Sequence, residues 1–277
     1  MKRLPKWAMF GLIFSFILIG TGCMLAINSC SKNDDPENPG NQKPSESAVD
    51  LYTVTLPWGT PEQIKEYTGF TVSFNKDNHT PNYVAWELLD SEVSYDVDRS
   101  DNFWQDLEIE GCPAHADYTH SGYDRGHMCP AADQKWSVEA MNDCFVMANM
   151  CPQAHELNAG AWEALENKTR QWAKRDKAVW VIAGPIYDEN DTKRIGLYNI
   201  HPRVPGNFFK VLLALEVEEP RAIAFVFPNM ASPGNMMEYA MSVDDLEEML
   251  GYDFFSVLPD DIENKVEAKR SFAEWNR

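Results

Sequence analysis

The spacing of apolar residues changes along this chain and predicts both strands and helices. Apolar and β-branched residues cluster at 71–74 and at 83–88, on either side of a turn-rich segment, which is typical of a pair of strands. Between 157 and 177 the apolar positions fall at helical spacing, with Trp162 and Trp172 on the same face. A long helix with one buried face is therefore expected there.

Four more apolar runs predict short strands. They lie at 145–149, 179–183, 208–215 and 222–227. Pro185 is expected to close the second of these strands and Pro228 to end the last. Ser242 is placed to cap a helix over 243–250, and Gly251 is placed to stop it. Together the elements predict an α+β domain built around antiparallel strands.

The beginning of the chain has the pattern of a secretory signal rather than of a folded element. A positively charged start is followed by the apolar run 7–19 and then by two cysteines, Cys23 and Cys30. Cys30 is the preferred lipidation site, because the acidic segment after it resembles the surface-export tag of lipoproteins in some Gram-negative bacteria. A retained membrane anchor is the alternative, since the apolar stretch to Ile27 is just long enough to span a bilayer.

This pattern divides the chain into three parts. Residues 1–30 are expected to form a lipoprotein signal peptide, 31–50 a disordered tether and 51–277 one domain. The tether is rich in polar residues and proline and has no apolar period, whereas the rest is long enough to build a sizeable core. We therefore expect an exported protein, held by its lipid at the outer membrane or the cell surface.

The remaining cysteines favour disulfides, because an even number in an exported protein commonly forms pairs. They are Cys112, Cys129, Cys144 and Cys151. Three pairings are possible, and the sequence does not choose between them. A zinc site is the less favoured alternative, since the spacings lack the close CxxC pairs that are typical of structural zinc.

The charge balance argues against a general affinity for nucleic acid. The chain carries 24 Lys and Arg against 43 Asp and Glu, a formal net charge of −19, whereas such affinity normally comes from a basic surface. The local exception is a basic run on the predicted long helix: Lys168, Arg170, Lys174, Arg175 and Lys177. A solvated helix face explains that run equally well.

The segment Asp124-Arg125-Gly126-His127 contains the candidate for proton transfer. A neutral imidazole accepts a proton at physiological pH, and it is a poor ligand for Mg²⁺, which prefers oxygen. The alternative is that His127 is structural or merely exposed, as one of six histidines in the chain. No comparable setting surrounds the other five, and no role is assigned to them: His79, His115, His120, His155 and His201.

Asn158, at the start of the predicted helix, is the candidate metal ligand. Its side-chain oxygen suits Mg²⁺, but an asparagine at this point also suits a helix N-cap, and the two roles compete. Glu166 follows eight residues later, roughly 12 Å along a helix axis, so the two are not expected to bind one ion directly. As the alternative, Glu166 is a surface residue paired with Arg170.

Two arginines are candidates for phosphate binding, because a guanidinium offers a fixed fork of donors. Arg125 belongs to the histidine segment, whereas Arg99 is flanked by acids that make a surface ion pair the alternative. Asp124 is expected to hold Arg125 or to orient the loop. Asn149 and Gln153 flank a proline-containing turn and are expected to orient the histidine or the phosphate, or to satisfy turn backbone.

These motifs together resemble those of the DNA/RNA non-specific endonucleases, the ββα-metal nucleases that include mitochondrial endonuclease G. The likeness lies in Asp124-Arg125-Gly126-His127, Asn149-Met150-x-Pro152-Gln153 and Leu157-Asn158-x-Gly160-Ala161-Trp162-x-x-Leu165-Glu166. Further likeness to the family's strands runs from about Tyr67 to Leu258. The resemblance implies the ββα-metal nuclease fold, an α+β fold with an antiparallel sheet core and flanking helices.

The resemblance also implies a role for each candidate residue. It makes His127 the general base, Asn158 the magnesium ligand and Glu166 the residue that orients water on the metal. The supporting residues that it implies are the phosphate-binding Arg99, the signature residue Arg125 and the active-site Asn149. Mg²⁺ is the implied cofactor, with Mn²⁺ as a substitute. The departures from the family's pattern are Cys129 and Cys151 beside the motifs, and the acidic net charge.

We therefore expect a magnesium-dependent endonuclease that hydrolyses phosphodiester bonds of DNA and RNA to 5′-phosphate products, with little dependence on sequence. One rival is a metal-dependent phosphodiesterase that acts on a smaller phosphoester, which the acidic charge favours. The other is a catalytically inactive lipoprotein that binds nucleic acid. Cleavage of plasmid and RNA with and without Mg²⁺, beside His127→Ala, tests the nuclease function and the role of His127.

Overall fold

A computed structural model describes residues 51–197, 200–232, 234–269 and 272–276. The predicted signal peptide and tether lie outside the described residues. Within those ranges, no helix has the length and apolar character needed to cross a membrane. The described part is a mixed α+β structure with an antiparallel sheet, as predicted.

Strands of the described ranges form two sheets. In chain order they are β1 (Gln63–Tyr67), β2 (Phe70–Asn75), β3 (Thr80–Leu89), β4 (Asp124–His127), β5 (Met150–Gln153), β6 (Ala178–Ile186), β7 (Asn207–Ala214), β8 (Arg221–Pro228) and β9 (Ala240–Met241). The large sheet has seven strands in the order β1-β2-β3-β6-β7-β8-β9, and neighbouring strands are antiparallel. The second sheet consists of β4 and β5 alone.

Helices cover the sheet. They are α1 (Val138–Asp143), α2 (Glu163–Asp176), α3 (Val243–Leu250), α4 (Asp260–Glu267) and α5 (Phe272–Trp275). The predicted long helix is present, but its first part, Leu157–Trp162, is π-helical and bends at Gly160 (φ −119°, ψ −111°). The predicted cap is confirmed, since Ser242 Oγ accepts the Asp245 N–H at 3.1 Å, and Gly251 ends α3 with φ 66°.

The two faces of the large sheet carry separate cores, because successive side chains of a strand point to opposite faces. In β7, Phe208 and Leu212 pack into the core that contains Leu165 of α2. Phe209 and Val211 belong to the second core, with side chains of α3 and α4. The sheet is therefore covered on both faces, which explains why its strands read as nearly continuous apolar runs.

Two predictions about strands are wrong. The run at 145–149 is not a strand: Val146 makes only an isolated bridge with Trp104, and Met147–Asn149 is a 3₁₀ turn. An all-apolar run has no period that distinguishes one buried element from another. The strand at 179–183 does not close at Pro185 either, because β6 continues to Ile186. Its pairing with β3 ends at Ala183, so Pro185 is paired on one side only, with Phe208 of β7. A proline fits a strand position that has a neighbouring strand on one side only.

The predicted disulfides are also wrong. Cys112, Cys129, Cys144 and Cys151 are all free and buried. Burial raises the pKa of Cys112 and of Cys144 to about 12, so these thiols stay uncharged and pack as small apolar groups. In the described part of the chain, no group of three or more metal-ligating side chains contains a cysteine, and the zinc alternative has no support.

Candidate active site

The site is built from β4, β5 and the helical segment that follows them. Antiparallel pairing places Asp124 opposite Gln153 and His127 opposite Met150. The strands approach closely, since a Cβ on Gly126 would lie 2.3 Å from Oε1 of Gln153. Only glycine permits this approach without displacing its neighbour. The two strands and the helix thereby bring the three sequence motifs together.

His127, at the end of β4, presents a neutral imidazole. Its ring packs against Phe145 and Phe103, with centroid distances of 4.9 and 5.8 Å. Burial lowers the pKa of His127 to about 3, and the charge of Arg99 acts in the same direction. Nε2 is buried and has no hydrogen-bond partner among the described residues. The imidazole is therefore uncharged at physiological pH, with one nitrogen left for water or a substrate.

Asp124 orients Asn158. The Nδ2 of Asn158 donates to Oδ2 of Asp124 at 2.9 Å, and Nδ1 of His155 lies 2.9 Å from the same oxygen. Asn158 does not cap a helix, because its backbone N–H already donates to the Ala154 carbonyl within the helical segment. Its side-chain oxygen accepts no hydrogen bond from the described residues. The predicted competition between capping and metal binding therefore does not arise.

Glu166 is buried, which rules out the surface alternative. Its Oε1 lies 3.7 Å from Nζ of Lys210. Burial raises the pKa of Glu166 to about 7, and the charge of Lys210 opposes this rise. The alternative ion pair with Arg170 is not formed, because Arg170 donates to Asp133 at 2.7 Å. Glu166 therefore faces the sheet rather than solvent.

Lys210 and His155 belong to this site, although the sequence motifs did not predict either of them. Lys210 is only 1% exposed, and its ammonium lies 4.1 Å from the ring centre of Trp162. The indole N–H of Trp162 donates to the His127 carbonyl at 3.3 Å, so one indole contacts both residues. The available signal was a lysine inside the apolar run of β7, since a lysine is seldom fully buried unless it is paired.

Arg125 does not pair with Asp124. Its Nη2 donates to the His115 carbonyl at 3.1 Å and lies 3.2 Å from the hydroxyl of Thr119. The guanidinium is 5.5 Å from the ring centre of Phe103, which also contacts His127. Arg125 is thereby held beside the histidine.

Arg99, which precedes β4 in the chain, also lies near the imidazole of His127. It forms the ion pair that the sequence suggested, with Nε 2.6 Å from Oδ1 of Asp101. Its guanidinium also lies 4.8 Å from the ring centre of Phe145, the phenylalanine that packs against His127. Both candidate phosphate ligands therefore lie around the imidazole.

Asn149 and Gln153 are fully buried. The side chain of Asn149 accepts the Cys129 N–H at 2.9 Å and donates to the carbonyls of Cys129 and Cys144, at 2.9 and 2.8 Å. It therefore holds the backbone that follows His127. Gln153 differs, because both polar atoms of its side chain are buried without a partner among the described residues.

Most cations of the basic run on α2 make ion pairs or ring contacts within the protein. Arg170 pairs with Asp133, Arg175 with Asp176 and Lys177 with Asp90. Lys168 lies over the ring of Trp172, with Nζ 5.7 Å from the ring centre. Four of the five cations of this run, all but Lys174, therefore already contact a carboxylate or an aromatic ring.

Comparison with known proteins shows which family the chain belongs to. The profile of the DNA/RNA non-specific endonucleases matches residues 47–261 of the chain. The chain belongs to this family. The mitochondrial nuclease EXOG of Xenopus laevis is 31% identical over an alignment of 266 positions, which covers 91% of this chain and 73% of that protein. A nuclease of Nostoc sp. is 32% identical over an alignment of 213 positions, which covers 72% of this chain and 76% of that protein.

A solved structure shares the fold of this endonuclease-family chain. The crystal structure of the EndoG/EndoGI complex superposes with a TM-score of 0.67 at 26% sequence identity. The match covers 79% of this chain and 94% of that one. The predicted ββα-metal nuclease fold is confirmed, and the chain is a hydrolase of a metal-dependent nuclease family.

The side chains at the site fit the metal that the family implies. Asn158 presents an oxygen that no described donor occupies, and Glu166, further along the chain on α2, adds a buried carboxylate. Oxygen donors of this kind suit a hard divalent cation. The Nε2 of His127 is left to accept a proton from water.

Proposed function

We propose that this chain is a magnesium-dependent endonuclease that hydrolyses DNA and RNA with little sequence preference and leaves 5′-phosphates. The proposal rests on one juxtaposition in the ββα unit. His127 is neutral with a free Nε2, and Asn158 has a free side-chain oxygen because Asp124 holds its amide nitrogen. A base and an oxygen ligand on adjoining elements are what metal-assisted phosphodiester hydrolysis requires.

His127 takes a proton from the attacking water. Burial keeps the imidazole uncharged, and its contacts with Phe103 and Phe145 fix the plane of the ring. The water oxygen forms a bond to phosphorus while the bond to the 3′ oxygen breaks, and solvent protonates the leaving oxygen. The imidazolium then returns its proton to solvent.

Magnesium, when bound, supplies positive charge that stabilises the negative charge developing on the phosphate. Asn158 would hold it, and Glu166, eight residues further along the chain, would orient water beside it. Asp124 sets the orientation of Asn158, and Lys210 sets that of Glu166. Arg99 and Arg125 bind phosphate oxygens around the imidazole.

The acidic composition affects substrate binding more than chemistry. With a net charge of −19, the protein repels a polyanion over most of its surface, and attraction rests on local cations such as Arg99 and Arg125. We therefore expect cleavage to fall steeply with added salt. This charge also favours the rival function, hydrolysis of a smaller phosphoester.

Cleavage assays with the full-length chain test the proposal. Supercoiled plasmid and single-stranded RNA are incubated with Mg²⁺ or with chelator, beside the variants His127→Ala and His201→Ala. We expect the wild type and His201→Ala, which changes an exposed histidine, to cut both polymers in Mg²⁺. His127→Ala should be about 10²-fold slower or worse. Ligation of the products without prior phosphorylation detects the 5′-phosphates.

Three results would reject parts of this proposal. Intact polymers together with rapid hydrolysis of bis(p-nitrophenyl) phosphate would favour the small-phosphoester function. Binding of DNA without hydrolysis of either substrate would favour the inactive binding protein. Equal rates for His127→Ala and the wild type would remove His127 from its role as the base.

We further propose that the protein is exported and carries its lipid on Cys30. The support is the sequence pattern of residues 1–30 and the acidic segment after Cys30. Metabolic labelling with palmitate in a Gram-negative host tests this. Cys30→Ala should lose the label and Cys23→Ala should keep it, whereas an unlabelled wild type would reject lipidation.

A further inference from the structure

The C-terminal helices carry an acidic group away from the active site. Asp244 and Glu247 lie three residues apart on α3 and therefore on one side of that helix. Glu267 is the last residue of α4, which packs beside α3. One carboxylate oxygen of each residue lies within 4.8 Å of the others. We refer to these three residues as the helix-pair carboxylates.

These helices cover the second core, on the face of the sheet opposite α2. Leu246 of α3 and Val266 of α4 pack into the core that contains Phe209. Leu165 of α2 packs into the other core, together with Phe208. The helix-pair carboxylates are therefore separated from His127 and Glu166 by the sheet itself.

Glu267 distinguishes this group from ordinary surface acids. It is only 4% exposed, and its Oε1 is buried without a hydrogen-bond partner among the described residues. A buried carboxylate oxygen without a partner costs free energy, and native structures rarely retain one. Asp244 is exposed and Glu247 is half-buried, so the group is open to solvent on one side.

The charges that act most strongly on Glu267 are negative. Burial raises the pKa of Glu267, and Glu247, Glu263, Asp244 and Asp253 add to the rise in that order, to a value of about 9. The Oε1 of Glu247 accepts the Phe254 N–H at 2.7 Å, which leaves its other oxygen available. No ion pair of the described residues includes one of the helix-pair carboxylates. Within the described ranges, this cluster is therefore not neutralised by an ion pair.

We propose that the helix-pair carboxylates bind a divalent cation, for which Ca²⁺ is the best fit, at a site distinct from the active site. The three carboxylates offer oxygen ligands and no nitrogen or sulfur, which selects a hard cation. Ca²⁺ accepts mono- and bidentate carboxylates in flexible geometry, whereas Mg²⁺ requires a near-ideal octahedron and retains its waters. The bound ion joins the end of α4 to α3 and stabilises both helices on the sheet.

Thermal unfolding of the full-length chain tests this site. After treatment with chelator, melting temperatures are compared in CaCl₂ and in KCl of equal ionic strength. We expect Ca²⁺ at about 100 times its dissociation constant to raise the melting temperature of the wild type by roughly 5 °C or more. Asn158→Ala should show the same rise, because it alters only the active site.

Two Glu→Gln substitutions on the helix pair distinguish binding of the cation from general screening of charge. Glu267→Gln should lose the calcium shift and the heat of calcium binding in a calorimetric titration. Glu248→Gln, which removes an exposed charge on α3 outside the group, should keep both. In chelator, Glu267→Gln should melt at or above the wild-type temperature, since the amide avoids the free-energy cost of protonating or desolvating the buried carboxyl.

Several outcomes would overturn the site. The wild type could show no shift beyond that in KCl, or Glu267→Gln could retain the full shift. Equal losses in Glu248→Gln and Glu267→Gln would show general screening instead of a site. None of these measurements depends on nuclease activity, so the cation site and the proposed function can fail independently of each other.

Discussion

The ammonium of Lys210 lies 3.7 Å from Oε1 of Glu166, and both residues are buried on the sheet face that carries the active site. Burying a lysine on a central strand is costly unless an opposite charge compensates. The ammonium also lies 4.1 Å from the ring centre of Trp162. The pair therefore holds Glu166 toward the sheet, and it gives Lys210 a function in positioning Glu166.

Lys210→Met is expected to lower kcat by about 10- to 100-fold, a range typical of residues that support a metal site. The reason is that Glu166 loses the charge that opposes the rise of its pKa. Single-turnover cleavage of plasmid at saturating Mg²⁺ measures the effect. Unfolding in urea confirms that the variant is folded.

A double-mutant cycle shows whether Lys210 acts through Glu166. If it does, Lys210→Met combined with Glu166→Gln should be no slower than Glu166→Gln alone. Losses that multiply would contradict this function and would give Lys210 an independent effect.

The bond between Asp124 and Asn158 leads to a second prediction. Asp124→Ala releases the amide of Asn158, so its oxygen is no longer held in one direction. We expect the Mg²⁺ concentration for half-maximal activity to rise by about 10- to 100-fold. The matched control is His155→Ala, which removes the other partner of the same carboxylate and leaves Asn158 in place. An equal rise in both variants would contradict the importance of this bond.

The low pKa of His127 predicts a contribution to pH-dependent stability. Its folded pKa of about 3 lies below the unfolded value, so the unfolded chain binds the proton first, and stability falls as pH decreases from about 6.5 toward 3. Between pH 6.5 and 5 the wild type should lose roughly 2 kcal/mol more than His127→Gln. Urea unfolding in chelator measures this difference. Equal losses in the two proteins would show that His127 is not shielded from protonation.

The buried thiols predict how the protein responds to reductant. In a chain with Cys23 and Cys30 replaced by alanine, the thiols of Cys112, Cys129, Cys144 and Cys151 should react with Ellman's reagent only after unfolding. Reductant should leave the melting temperature unchanged. Fewer than four reactive thiols in denaturant without reductant would reveal a disulfide.

Local patterns were sufficient for much of the fold. Alternating and continuous apolar runs predicted β2, β3, β7 and β8, and Ser242 with Gly251 marked both ends of α3. Local pattern failed at Pro185, because a proline ends a strand only where a neighbour needs its N–H. That depends on how far β3 extends beside β6, which no short segment records.

The sequence by itself determined which residues are candidates for the chemistry of this protein, since the motifs that resemble the family's contain His127, Asn158 and Glu166. Only the tertiary structure decided the surroundings of each side chain. The oxygen of Asn158 is free because β4 brings Asp124 to its amide, and Glu166 is buried because the register of β7 places Lys210 beneath it. Burial and pairing arise from contacts between residues that are distant along the chain, and folding alone brings them together.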